Sequence, residues 1–205
     1  LAPTALARPV SYPGGTMAML EADDDAAMAE IVHTITPRTG IGLHAEWNEA
    51  QDWQAQMLMG SVLVARDNQK QSQANVFAML GVGVASADVA SWGADQAPTL
   101  LGVLEADWET RRLYVQAKVR ARYVDDAVQN GDPTGLDWRV RAGFAPVLAP
   151  AGGLQPWLIA QLDHDPDAPD PLTPRAVLRL FSGPVLMEAG LTDRGAANAA
   201  LWFYF

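Results

Sequence analysis

The chain has 205 residues, no cysteine, and 24 acidic against 14 basic side chains, for a formal net charge of −10. Hydrophobic residues make up 49% and charged ones 19%, the composition of an ordered protein with length for one domain or two very small ones. The acidity argues against nucleic acid as a partner, because phosphate binding takes a clustered basic face; zero cysteine excludes a disulfide scaffold and a thiolate metal site.

The chain opens on Leu1, and Ala5-Leu6-Ala7 has the small-x-small form of a signal-peptidase site, so a processed signal peptide is expected. From residue 15 onward, apolar and polar side chains alternate with period two. Twelve strands are predicted, over 15–22, 27–35, 40–49, 53–66, 73–86, 98–109, 111–124, 136–147, 155–164, 174–182, 184–192 and 197–205. The pattern is cleanest in the seventh. There Arg112, Tyr114, Gln116, Lys118, Arg120 and Arg122 share one face, and Leu113, Val115, Ala117, Val119, Ala121 and Tyr123 the other. A helix would scatter these charges around its circumference; a strand collects them on one side.

The longest charge-free stretch, 142–162, carries Pro146, Pro150, Pro156 and Gly152-Gly153, which excludes a membrane-spanning helix there. Gly81-Val82-Gly83-Val84-Ala85-Ser86 superficially resembles a dinucleotide loop, but it lies inside a strand with no helix after it. Close backbone packing is the expectation.

The connectors alternate in length. Thr36-Pro37-Arg38-Thr39, Glu109-Thr110-Arg111 and Ser182-Gly183-Pro184 are short, whereas 88–97, 125–135 and 165–173 are long. The long side holds 14 acids, from Asp23-Asp24-Asp25 to Asp193, against Arg194 alone among the bases. Short turns at one end and long loops at the other are the layout of an antiparallel transmembrane up-and-down β-barrel. On this reading residues 1–14 are an N-terminal periplasmic segment and 15–205 the all-β barrel of twelve strands. Ten strands remain possible if 15–35 form a separate lid or plug. Phe205, preceded on one face by Phe203, Leu201 and Ala199, resembles the C-terminal signal of bacterial outer-membrane barrels. Trp47, Trp53, Trp108, Tyr123, Trp138 and Trp157 fall near strand ends, where interfacial girdles belong.

In such a barrel the polar alternates face the lumen. Arg112, Lys118, Arg120, Arg122, Arg139, Arg141, Arg175 and Arg179 then form a basic wall, opposed by Glu105, Asp107 and Glu109, with Glu46, Asp137, Asp163 and Glu188 elsewhere. In architecture the chain is similar to the small twelve-stranded oligogalacturonate-type porins. That resemblance implies a bacterial outer-membrane channel, not an enzyme, passing a small charged solute along lumenal arginines that set selectivity. The other reading is a sealed barrel, in which the acidic sixth strand neutralises the basic seventh and the protein acts as a scaffold for a protein partner or as a metal-binding component.

Lipid and lipopolysaccharide are the expected surroundings, with divalent cations drawn to the acidic loops. No cofactor is implied. His44, Glu46, Asp163, His164 and Asp165 are the candidate metal ligands. Met17 and Met19, like Met57 and Met59, share a strand face, which suits copper(I), or else methionines that face lipid or pack in the core, the cheaper expectation. An outer-membrane hydrolase built on His164 with Asp163, or His44 with Glu46, lacks a serine in a recognisable nucleophile context.

Overall fold

The computed structural model describes residues 10, 12–49, 52–87, 96–125, 135–150, 152–166, 168 and 170–205. Its strands are β1 (Thr16–Asp23), β2 (Ala26–Thr36), β3 (Thr39–Asn48), β4 (Trp53–Asn68), β5 (Ser72–Ala87), β6 (Gln96–Thr110), β7 (Leu113–Val124), β8 (Gly135–Phe144), β9 (Gln155–His164), β10 (Leu172–Ser182), β11 (Val185–Thr192) and β12 (Ala197–Tyr204). Each pairs antiparallel with its neighbours in sequence, and β1 pairs with β12 to close the barrel. Closure leaves no unpaired sheet edge, the condition for β-structure in hydrocarbon. Every predicted strand ends within three residues of an observed one. Residues 15–35 are staves of the wall, so the ten-stranded alternative is excluded.

The barrel is built inside out relative to a soluble β-protein. Leu20, Leu43, Leu58, Leu80, Leu104 and Leu158 project outward and are exposed. Among the described strand residues, Asp67 beside the β4–β5 turn is the one outward position with an aspartate, glutamate, lysine or arginine. So broad an apolar belt is far larger than the patches soluble monomers expose. Trp47, Trp108 and Tyr123 lie outward near strand ends, as girdle residues do. Trp53 and Trp157 do not: both are buried on the inner face, because they share parity with the inward Ala55 and Ile159.

Two local features set which side chains reach the interior. A β-bulge between Leu63 and Ala65 shifts the register of β4 against β5 and turns Arg66 inward. Gly81 and Gly83 face inward on β5. A Cβ on Gly81 would sit 2.4 Å from Met59 Sδ, and one on Gly83 would sit 1.9 Å from the backbone oxygen of Gln56. This is the close packing expected of the glycine-rich stretch.

The two ends differ in charge. Pro37-Arg38, Arg111-Arg112 and Lys70 lie in the turns between β2 and β3, β6 and β7, and β4 and β5, making that rim basic. The ten-residue connector 145–154 lies at the same end, longer than the short turns beside it. The opposite rim carries Asp24, Asp25, Glu49, Asp52, Asp125, Asp165, Asp170 and Asp193, with Arg194 paired to Asp170. Asp88, Asp95, Asp126, Asp132 and Asp167, with Ala5-Leu6-Ala7 and most of the 1–14 segment, lie outside the described residues.

Candidate functional site: a charged lumen with a thioether wall

Among the described residues, Arg66, Lys118, Arg120, Arg122, Arg139, Arg141, Arg175 and Arg179 point inside the barrel. So do the carboxylates of Glu21, Asp23, Glu30, Glu46, Glu105, Asp107, Glu109, Asp137, Asp163 and Glu188. Arg112 is not among them. β7 begins at Leu113, and Arg112 sits exposed in the turn with one guanidinium nitrogen 3.5 Å from the Ala145 carbonyl.

The β7 arginines pair with Glu46 across the interior and with Asp137 on β8, and the β8 and β10 arginines combine partners on the next stave with partners several staves away. Arg122 of β7 donates to both oxygens of Glu46 on β3, at 3.1 and 2.6 Å, and its guanidinium stacks 4.6 Å above the Trp53 ring. Arg120 bridges Asp137 at 3.2 Å and approaches Glu46 at 3.6 Å. Arg139 of β8 reaches Glu21 on β1 at 2.9 Å while also holding Asp163 at 2.6 Å. Glu188 is clasped by Arg141 and Arg179, each at 2.6 Å, with all three side chains at most 5% exposed. Arg179 also stacks 4.4 Å over Tyr114. The expected β6–β7 neutralisation gives way because a guanidinium on a long stem reaches carboxylates several staves away. Lys118 faces Glu105 in register but forms no ion pair among the described residues; Glu105 instead accepts from Gln116 at 2.8 Å.

The other wall is soft and apolar. Met17, Met19, Met28, Met57, Met59 and Met79, six of the seven methionines, point inward from β1, β2, β4 and β5. Methionine and arginine side chains together fill the interior, leaving a cavity of about 70 Å³ lined by Met17, Met59, Glu105, Lys118, Arg139 and Trp202 among others. At the basic end, Val10 is fully buried against Leu63 and Phe77.

The metal candidates separate into two outcomes. His44 and Glu46 come together inside the lumen, with Nε2 3.7 Å from a Glu46 oxygen and Nδ1 3.0 Å from Glu30 Oε2. His164, Asp163 and Asp165 do not assemble. Strand alternation sends Asp163 inward to Arg139 and Arg175, while His164 points outward and stacks on Trp138 with ring centroids 5.2 Å apart. The same split removes the proposed His164–Asp163 hydrolase pair.

Arg66, Glu21, Glu30, Met28 and Met79 were not among the candidates read from sequence. Parity with Met17 and Met19 would have found Glu21, and parity with Val32 would have found Glu30 and Met28. Arg66 was concealed by the bulge, whose one visible trace is the unalternating run Val62-Leu63-Val64-Ala65.

A closed barrel of next-neighbour antiparallel strands, apolar outside and charged within, has the architecture of an outer-membrane porin. Among solved structures the chain is similar to the KdgM porin, with 11% identity, 93% of this chain and 98% of that chain covered, and a TM-score of 0.51. It is similar to the same porin in complex with disordered oligogalacturonate, again with 11% identity and the same coverage, at a TM-score of 0.53. At this identity the likeness defines the fold. No family model and no curated protein matches the sequence.

Proposed function

We propose that this chain is a narrow passive channel of the bacterial outer membrane for a small charged solute. The lumen carries the reading. Among the described residues, eight cationic and ten carboxylate side chains point inside a barrel that needs none of them for closure. Ion pairs sealed in a dry core contribute little or negative net stability compared with well-packed hydrophobic groups. Charge kept at this density fits a hydrated path whose arginines and carboxylates select what enters. Lys118, Arg120, Arg122, Arg139, Arg141, Arg175 and Arg179, with Glu105 and Asp107, are the proposed selectivity residues; Arg112 belongs to the basic rim. The likeness to a porin captured with oligogalacturonate supports a charged solute. Lipopolysaccharide, bridged by divalent cations to the acidic rim, is the proposed outer contact.

The small cavity favours a second reading, a barrel closed by its own side chains. A space of about 70 Å³ holds a handful of waters. Swelling of liposomes containing the purified protein separates the two. A channel admits small amino acids and organic acids faster than empty liposomes do, and a sealed barrel admits nothing above that background.

A further inference from the structure

We propose that His44 and the inward methionines around it form a binding site for a soft monovalent metal cation, copper(I) or silver(I). The inference does not depend on whether the barrel conducts. Its foundation is one row of inward side chains running through five adjacent staves. Met19 pairs in register with Glu30, Glu30 with His44, His44 with Met57, and Met57 with Gly83. Cross-strand neighbours on one face hold their Cβ atoms roughly 4.5–5.5 Å apart, so His44 stands between a carboxylate and a thioether.

Chemistry distinguishes this row from ordinary packing. The His44 side chain is 3% exposed, and Nδ1 lies 3.0 Å from Glu30 Oε2. A carboxylate only accepts, so Nδ1 carries the proton and donates it. That hydrogen bond fixes the ring, with Nε2 3.7 Å from Glu46 Oε2, and His44 lines a cavity together with Met17, Met19, Met28, Met59 and Met79. Nε2 is buried and has no hydrogen-bond partner. A histidine whose other ring nitrogen is anchored on a carboxylate is the usual arrangement of a metal-ligating imidazole.

Met59 lines the same cavity as His44. The Sδ atoms of Met57 and Met59 lie 3.3 and 2.4 Å from the position a Gly81 Cβ would take, so the two sulfurs are close neighbours. Gly81 therefore makes room for a thioether pair. Thioethers with one imidazole select soft cations over zinc, calcium or magnesium, which prefer harder or more numerous donors. Glu30 and Glu46, at 3.0 and 3.7 Å from the ring nitrogens, supply negative charge beside the site.

Silver nitrate is the probe, because silver(I) is stable in air and needs no reductant. The folded barrel in detergent is dialysed against it, retained metal is measured by mass spectrometry, and the methionine methyl groups are followed by NMR. One silver ion per barrel is expected, with the Met57 and Met59 methyl signals shifted and zinc(II) not retained. His44→Gln, and Met57→Leu with Met59→Leu, are each expected to weaken retention roughly tenfold or more, as is Glu30→Gln through loss of the anchor. No retained silver in the wild-type barrel, unshifted methyl signals, or zinc held as firmly as silver would overturn the proposal. The wild-type spectra decide the matter even where a variant fails to fold. A silver-binding barrel that stays silent in bilayers would refute the channel and leave this site standing.

Discussion

Arg122 and Glu46 lie 76 residues apart in sequence and four staves apart around the barrel, yet they meet through two hydrogen bonds of 3.1 and 2.6 Å. Neighbouring strands cannot explain the contact, so it is a brace across the lumen. Arg139 and Glu21 form a second, between β8 and β1. Arg139 and Glu21 line the remaining cavity.

Removing the shared acceptor tests that role. Glu46→Gln takes a charged partner from Arg120 and Arg122 together. In a conducting barrel it should raise single-channel conductance and make the lumen more anion-selective. A variant indistinguishable from wild type in both respects would show that the brace does not limit passage.

Glu188 plays a structural part that Lys118 does not. Glu188→Gln leaves the buried Arg141 and Arg179 without their common counter-charge, which should cost about 3–5 kcal/mol in urea-induced unfolding followed by tryptophan fluorescence. Lys118→Ala removes a cation without an ion pair among the described residues. Its effect on stability should stay within about 1 kcal/mol.

Gly81→Ala drives a methyl group to 2.4 Å from Met59 Sδ, so the sulfur has to move. The expected loss is about 1–3 kcal/mol, the usual range for overpacking, with recovery when Met59→Ala opens space beside it. Gly83→Ala meets backbone, 1.9 Å from the Gln56 oxygen, and no side chain can relieve it. The fraction of heat-modifiable, folded barrel on a gel should therefore fall much further for Gly83→Ala, whatever stands at position 59.

The outer belt carries a prediction of its own. Leu104 projects outward from the middle of β6. Leu104→Arg should cost about 2–4 kcal/mol in refolding from urea into lipid vesicles if that position lies near the bilayer midplane. A loss near zero would place the belt elsewhere than in hydrocarbon.

Strand positions were legible because one face of most staves is uniformly apolar, and period two needs nothing beyond the chain itself. β7 is the clearest case: each of its predicted outward residues, Leu113 through Tyr123, is exposed. β4 is the counter-case. Its inner face is Trp53, Ala55, Met57 and Met59, while Gln54 and Gln56 point outward, so polarity alone assigns the wrong side. The thioether wall was hidden for that reason. Arg66 required the bulge to be seen, and the Arg122–Glu46 and Arg139–Glu21 braces depend on which staves face each other once the ring closes. Local pattern carries no information about that distance across the lumen.

The most direct test is single-channel recording of the wild-type barrel in a planar bilayer under a salt gradient, paired with Lys118→Ala and the double variant Arg120→Ala, Arg122→Ala. The account predicts small, discrete openings whose reversal potential moves toward cation selectivity as these lumenal cations are removed. Protein that is folded by gel mobility but never conducts, in wild type and variants alike, would contradict it.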